Sequence, residues 1–138
     1  MFKIDERLTS TSIIITDLAL SRVFFKNEQN YPWFILIPRK QNVTEIHELL
    51  PKERETLINE ISKISNFVKN YFNPEKLNVG ALGNIVPQLH IHIVGRNNTD
   101  PLWPHSIWQP EYKQSPYPQN VLDNLIQSLK RDLSCEIS

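Results

Sequence analysis

The chain has 138 residues, with lysine plus arginine and aspartate plus glutamate numbering 15 each. That length suits one domain, 1–138, with a single core; the charge balance supplies no global field toward nucleic acid or an anionic membrane, so any phosphate recognition must be local. The one cysteine, Cys135, excludes an internal disulfide and a thiolate metal cluster, and the absence of a membrane-length apolar run or a hydrophobic signal core leads us to expect a cytoplasmic protein with no membrane partner.

In chain order, Asp5-Glu6-Arg7-Leu8 predicts one helical turn, ended by Thr9-Ser10-Thr11-Ser12. Ile13-Ile14-Ile15 is β-branched and reads as a short edge strand. Leu20 to Lys26 and Trp33 to Ile37 read as two strands joined by the polar, turn-prone Asn27-Glu28-Gln29-Asn30, an antiparallel hairpin. A connector from Arg39 to Leu50 holds one turn near Glu45-Ile46-His47-Glu48, where His47 reads as an exposed turn residue.

Pro51 suits the first position of a helix, with Glu53 and Glu55 near the positive end of its dipole. Leu57, Ile61, Ile64, Val68 and Tyr71 form one apolar stripe over several turns, with Glu60, Lys63 and Asn66 assigned to the opposite, solvated face. Asn73-Pro74 ends the helix. Lys76 to Ala81 reads as a strand that leads through Gly80 and Gly83 to the next. Asn97 to Pro118 is rich in proline and aromatics, and Trp103, Trp108, Tyr112 and Tyr117 are expected to pack rather than stack on a base. Pro118 to Leu133 reads as a C-terminal helix. The sum is an α+β chain: about five antiparallel strands, one long helix packed on the sheet, a core over about 12–110 and a terminal helix over about 118–133.

One stretch is written for something other than folding. From Gln88 to Val94 polar and apolar residues alternate strictly, which places Gln88, His90 and His92 on one face and Leu89, Ile91 and Ile93 on the other. Three readings compete for the polar face. The histidines are solvated or locally satisfied; or they chelate a metal, for which a third strong ligand is missing and glutamine is a poor one; or one imidazole attacks phosphorus while amides and an arginine hold phosphate oxygens. The accompanying Asn84, Gln88 and Arg96 favour the third.

The segment Gln88-Leu89-His90-Ile91-His92-Ile93-Val94 resembles the signature of the histidine-triad family, nucleotide hydrolases and transferases in which three histidines alternate with apolar residues. Its middle and last histidines match His90 and His92, and its first is Gln88. With Gly83-Asn84 upstream, Tyr31-Pro32-Trp33 and Asp100-Pro101-Leu102-Trp103-Pro104, the chain resembles a short bacterial branch of that family. The resemblance implies attack by His90 Nε2 on the α-phosphorus of a nucleoside polyphosphate, a dinucleoside polyphosphate or a related nucleotide conjugate. A nucleotidyl-histidine forms, His92 supports the nucleophile, and a carbonyl fixes its tautomer. It further implies Asn84, Gln88, Asn78 and Arg96 near the phosphate, Asn27 on the ribose, and Leu18, Phe24 and Ile37 around the base. No cofactor is implied, although a divalent metal such as magnesium can accompany the substrate phosphates. A homodimer with continuous sheets is implied as well.

Two departures stand out: Gln88 replaces the first histidine, and Trp33 stands where many relatives carry another. An amide cannot deliver a proton, so leaving groups that depart as stable anions are expected to be preferred over amines. The rival expectation is a nucleotide-binding protein that keeps the fold and has lost turnover.

Overall fold

The computed structural model describes residues 1–110 and 112–137. After a short helix α1 (Glu6–Thr9), whose Arg7 N–H donates to the Asp5 side chain, come β1 (Ser12–Asp17), β2 (Ser21–Lys26) and β3 (Trp33–Pro38). A single 3-10 turn (Ile46–Glu48) precedes the long helix α2 (Pro51–Phe72); β4 (Lys76–Gly80), β5 (Ile91–Arg96) and the terminal helix α3 (Gln119–Ile137) complete the chain. The strands form one antiparallel sheet in the order β1-β2-β3-β5-β4, which makes β1 and β4 the edges. The expected α+β architecture is the observed one.

Helix α2 starts at Pro51, and Glu53 accepts from the Leu50 N–H, so an orphan donor of the first turn is satisfied. It stops where Asn73 adopts a left-handed conformation, φ 51°, directly before Pro74. Its inward face, Leu57, Ile64, Phe67 and Val68, packs on Phe25, Phe34, Leu36, Ile91 and Ile93 of the sheet, with Leu122, Ile126, Leu129 and Leu133 of α3 closing the same core.

Two assignments on α2 are corrected. Tyr71, placed on the core stripe, is 37% exposed, and Phe67 takes its place. Glu60, placed on the solvated face, is buried because its carboxylate accepts from the Leu20 N–H at 2.7 Å and the Ser21 N–H at 3.0 Å. Those two amides lead into β2, and without a partner each would carry a burial cost.

The opposite face of the sheet has its own apolar cluster, built from Phe24, Trp33, Ile35, Ile37, Val94 and Ile107. Phe2, Ile4 and Leu8 cover it from the N-terminal side, and Leu102, Trp108 and Tyr112 from the aromatic loop. Three of the four aromatics of that loop pack as expected, Tyr112 5.6 Å from Trp33, Tyr117 6.1 Å from Phe25 and Trp108 on the second cluster, whereas Trp103 is 36% exposed.

Candidate functional site

Strand β5 begins at Ile91, not at Gln88. Its first rungs are Ile91 with Leu36 of β3 and His92 with Gly80 of β4, and Gln88 to His90 lie ahead of both. The Leu89 N–H goes instead to the Val43 carbonyl of the connector. The alternation survives this shortening. Leu89, Ile91 and Ile93 are buried in the helix-side core, and the His90 and His92 rings stand together with centroids 4.9 Å apart at 79°.

His90 is buried, and its Nδ1 lies 2.7 Å from the Gln88 carbonyl oxygen. A carbonyl only accepts, so Nδ1 carries the hydrogen and Nε2 of the neutral ring keeps its lone pair. His92 has the opposite tautomer. The Trp33 indole N–H donates to His92 Nδ1 at 3.0 Å, which leaves the hydrogen on Nε2. Burial, with the His90 ring and the Lys26 ammonium nearby, pushes His92 down to about 3, so it is neutral throughout the ordinary range of pH.

The His90 ring lines two cavities. One, of about 540 Å³, has Trp33, Trp108 and Tyr112 as aromatic walls, with Lys26, Asn84 and Ile85 at its margin. The other, of about 380 Å³, is bounded by Thr44, Glu45, His47 and Arg54 of the connector and α2, and by Gln88. The bend between β4 and β5 separates them, and its Gly83 takes φ +85°, a conformation that side chains disfavour. Gly80 has a different reason to be glycine: a Cβ there would meet the Trp108 ring at 3.0 Å.

Lys26 stands 4.7 Å over the Trp33 ring and donates to the Thr11 hydroxyl. Burial lowers its pKa, against the opposing pull of Glu28. Glu28 is fully buried and organises the aromatic loop, accepting from the Tyr112 hydroxyl at 2.6 Å, the Ser115 N–H at 2.8 Å and the Asn30 N–H at 2.8 Å. Burial first, and this bond second, push the Tyr112 phenol up, so it remains a donor.

The residues selected from sequence therefore divide. His90, His92, Gln88 and Asn84 gather at one place, with Asn84 exposed on the rim of the aromatic cavity. The Gln88 side chain is bonded within the protein: its Oε1 accepts from the Asp5 N–H at 2.8 Å and its Nε2 donates to the Lys3 carbonyl at 2.8 Å.

Like His92, the other six line neither cavity. Arg96, expected near the phosphate, is buried at the far end of β5; it pairs with both Asp100 oxygens at 2.7 and 2.9 Å and donates to Asn78 Oδ1 at 3.0 Å, which also occupies Asn78. Asn27 Oδ1 accepts from the Tyr117 N–H at 2.9 Å. Phe24 and Ile37 are interior to the second cluster, and Leu18 packs against the helix-side core. Sequence reasoning missed Lys26. Its signal was its place two residues beyond Phe24 on the same face of β2, beside Trp33. Among the described residues no group of three or more His, Cys, Asp or Glu is placed to hold a metal ion.

The HIT domain model matches residues 7–99. A histidine triad protein from Bradyrhizobium japonicum is 36% identical with a TM-score of 0.89, over 96% of this chain and 98% of that one. Histidine triad proteins from Sinorhizobium meliloti 1021 (35%, TM-score 0.87, 94% and 96% covered) and Marinobacter aquaeolei VT8 (34%, 0.88, 96% and 98%) are similar over the same extent. The asymmetrical bis(5'-nucleosyl)-tetraphosphatase of Schizosaccharomyces pombe is 26% identical over 86 residues, 59% of this chain and 47% of that protein. The chain thus spans about half the length of the curated relative it matches.

Proposed function

The chain belongs to the HIT domain family, and we propose that it is a nucleotide hydrolase or nucleotidyl transferase acting at an α-phosphate through His90. Nε2 of His90 attacks phosphorus, the P–N bond forms as the bond to the leaving oxygen breaks, and a nucleotidyl-histidine results. Water or another acceptor then attacks the same phosphorus, the P–N bond breaks, and the imidazole is regenerated. The observation that carries this reading is the 2.7 Å contact of His90 Nδ1 with the Gln88 carbonyl, which leaves Nε2 as the nucleophilic nitrogen.

The substrate class is a nucleoside polyphosphate, a dinucleoside polyphosphate or a related nucleotide conjugate. The relation to a tetraphosphatase supports it, as does a second feature of the site. His92 is neutral and both polar atoms of the Gln88 amide are engaged, so neither supplies a proton to a departing group. Leaving groups that depart as anions are favoured. An adenosine polyphosphate should turn over faster than an adenosine phosphoramidate, and the reverse order would refute the preference. A divalent cation such as magnesium enters, in this reading, with the substrate phosphates, and elemental analysis of the purified protein should find no stoichiometric zinc.

The same reading includes a cytoplasmic two-fold homodimer with no nucleic-acid or membrane partner. Val79, Leu82 and Ile85, exposed on edge strand β4 and the bend after it, support an interface there, and light scattering on the purified protein tests it. Intact-protein mass after rapid quench with a nucleotide substrate tests the chemistry. One nucleotidyl group on the wild type and none on His90→Ala is expected. Wild type and variant that bind AMP equally and are equally inert would establish nucleotide binding without turnover.

A further inference from the structure

The nucleophile sits in a segment that the sheet does not hold. The first paired residue of β5 is Ile91, so neither neighbouring strand orients the Gln88 carbonyl on which the His90 tautomer depends. What holds that carbonyl is the Leu89 N–H bond to Val43 on one side and the N-terminal segment on the other. The Gln88 amide spans that segment, accepting from the Asp5 N–H and donating to the Lys3 carbonyl, both at 2.8 Å. The segment is itself anchored, because Phe2, Ile4 and Leu8 pack on the apolar cluster of the sheet face that carries the histidines. A continuous chain of hydrogen bonds therefore runs from residues 3 and 5 through the Gln88 side chain and backbone to His90 Nδ1.

We propose that Gln88 is a positioning residue that acts through this N-terminal strap, rather than a phosphate donor, and that residues 3–5 are part of the machinery that fixes the His90 tautomer. The inference rests on His90 as the nucleophile. Its physical content is rotational: an unrestrained 88–90 segment lets the carbonyl turn away, and the imidazole then samples both tautomers and several ring orientations.

Full-length variants separate this role from substrate contact. Asp5→Pro removes the N–H that Gln88 accepts from, at a residue whose φ of −64° already suits proline. Asp5→Ala keeps that N–H and loses the cap on the Arg7 N–H and the ion pair with the Arg7 guanidinium, losses that Asp5→Pro shares, so it is the control. Gln88→Met keeps the side-chain length and removes both polar atoms.

We expect Asp5→Pro, relative to Asp5→Ala, and Gln88→Met, relative to wild type, each to lower kcat about tenfold with KM held within about twofold. The double variant should lose no more than either single one. Nitrogen-15 spectra of the His90 ring, free of substrate, should show the Nδ1–H form in wild type and Asp5→Ala and a mixture of tautomers in Asp5→Pro. Three results would overturn the proposal: losses that add, a Gln88→Met effect carried by KM, or an Asp5→Pro enzyme indistinguishable from Asp5→Ala. The ring spectra need no turnover, so a failure of the strap is distinguishable from a failure of the catalytic reading.

Discussion

Arg96→Met tests whether the buried guanidinium serves the fold or the substrate. Arg96 is 1% exposed, bonds both Asp100 oxygens and Asn78, and lies 5.4 Å from the Tyr31 ring and 5.9 Å from the Trp103 ring. Methionine fills much of the volume but leaves Asp100, whose side chain is 3% exposed, without its counter-ion. Breaking one side of a buried pair costs about 3–5 kcal/mol, because the surviving charge is uncompensated. For a chain of this length that corresponds to roughly 10–20 °C in Tm. Adding Asp100→Asn should restore about 1–2 kcal/mol, since an amide oxygen can still accept a loop N–H and no charge is stranded. The pH dependence has a definite sign. Burial pushes the Asp100 carboxyl up, but donation from Arg96 and the Asn97 N–H outweighs it and holds the carboxyl below its ordinary value. A depressed folded pKa stabilises above the unfolded value, about 3.9, and that stability is lost as pH falls through the folded one. The gap between wild type and Arg96→Met in urea titrations should therefore be full at pH 7 and narrow in acid. A variant within about 1 kcal/mol of wild type, or one of unchanged stability with a raised KM for the nucleotide, would refute the structural role.

Three further outcomes are expected. Glu60→Ala leaves the Leu20 and Ser21 N–H groups without their acceptor and should cost about 2–4 kcal/mol in chemical denaturation, with Glu60→Gln, which keeps one of the two acceptor oxygens, at about half of that. His92, held at about 3 against 6.5 when unfolded, stabilises fully above pH 6.5 and loses that contribution as pH falls toward 3; between pH 6 and 5 wild type should lose about 1 kcal/mol more than His92→Asn. Lys26→Met keeps an apolar stem and removes the half-buried ammonium that stands over Trp33, so it should leave Tm equal or higher while raising KM for an anionic nucleotide about tenfold; an unchanged KM would remove Lys26 from the site.

The framework was legible because it is written in local periods. The α2 stripe, its stop at Asn73-Pro74 and the hairpin between β2 and β3 rest on residues within a few positions of one another. The faces of the His90 strand were legible for the same reason. Its first residue was not, because a strand begins where partners begin, and Leu36 and Gly80 are distant in sequence. Glu60 shows the same boundary: on a helical wheel it is polar, and only the approach of Leu20 and Ser21 from about 40 residues away makes it an interior acceptor. Arg96 had a visible partner four residues on, but Asp100 in a proline-rich loop gave no sign that both would be buried.

The histidine pair of the candidate site was legible and what surrounds it was not, and the reason is charge. A chain with equal acids and bases must recognise phosphate locally, which directed attention to Arg96 as the nearest cation in sequence. The fold spends that cation on Asp100 and brings Lys26 of β2 to the aromatic cavity instead, where it is the one ionised side chain among the described lining residues. Desolvation strengthens its attraction for an anion as much as it weakens its hold on a proton. In the function proposed above, a neutral His92, an engaged Gln88 and a desolvated Lys26 would together stabilise negative charge without donating a proton. That is the electrostatic setting in which attack by a neutral imidazole, with an anion departing, is favoured over the expulsion of an amine.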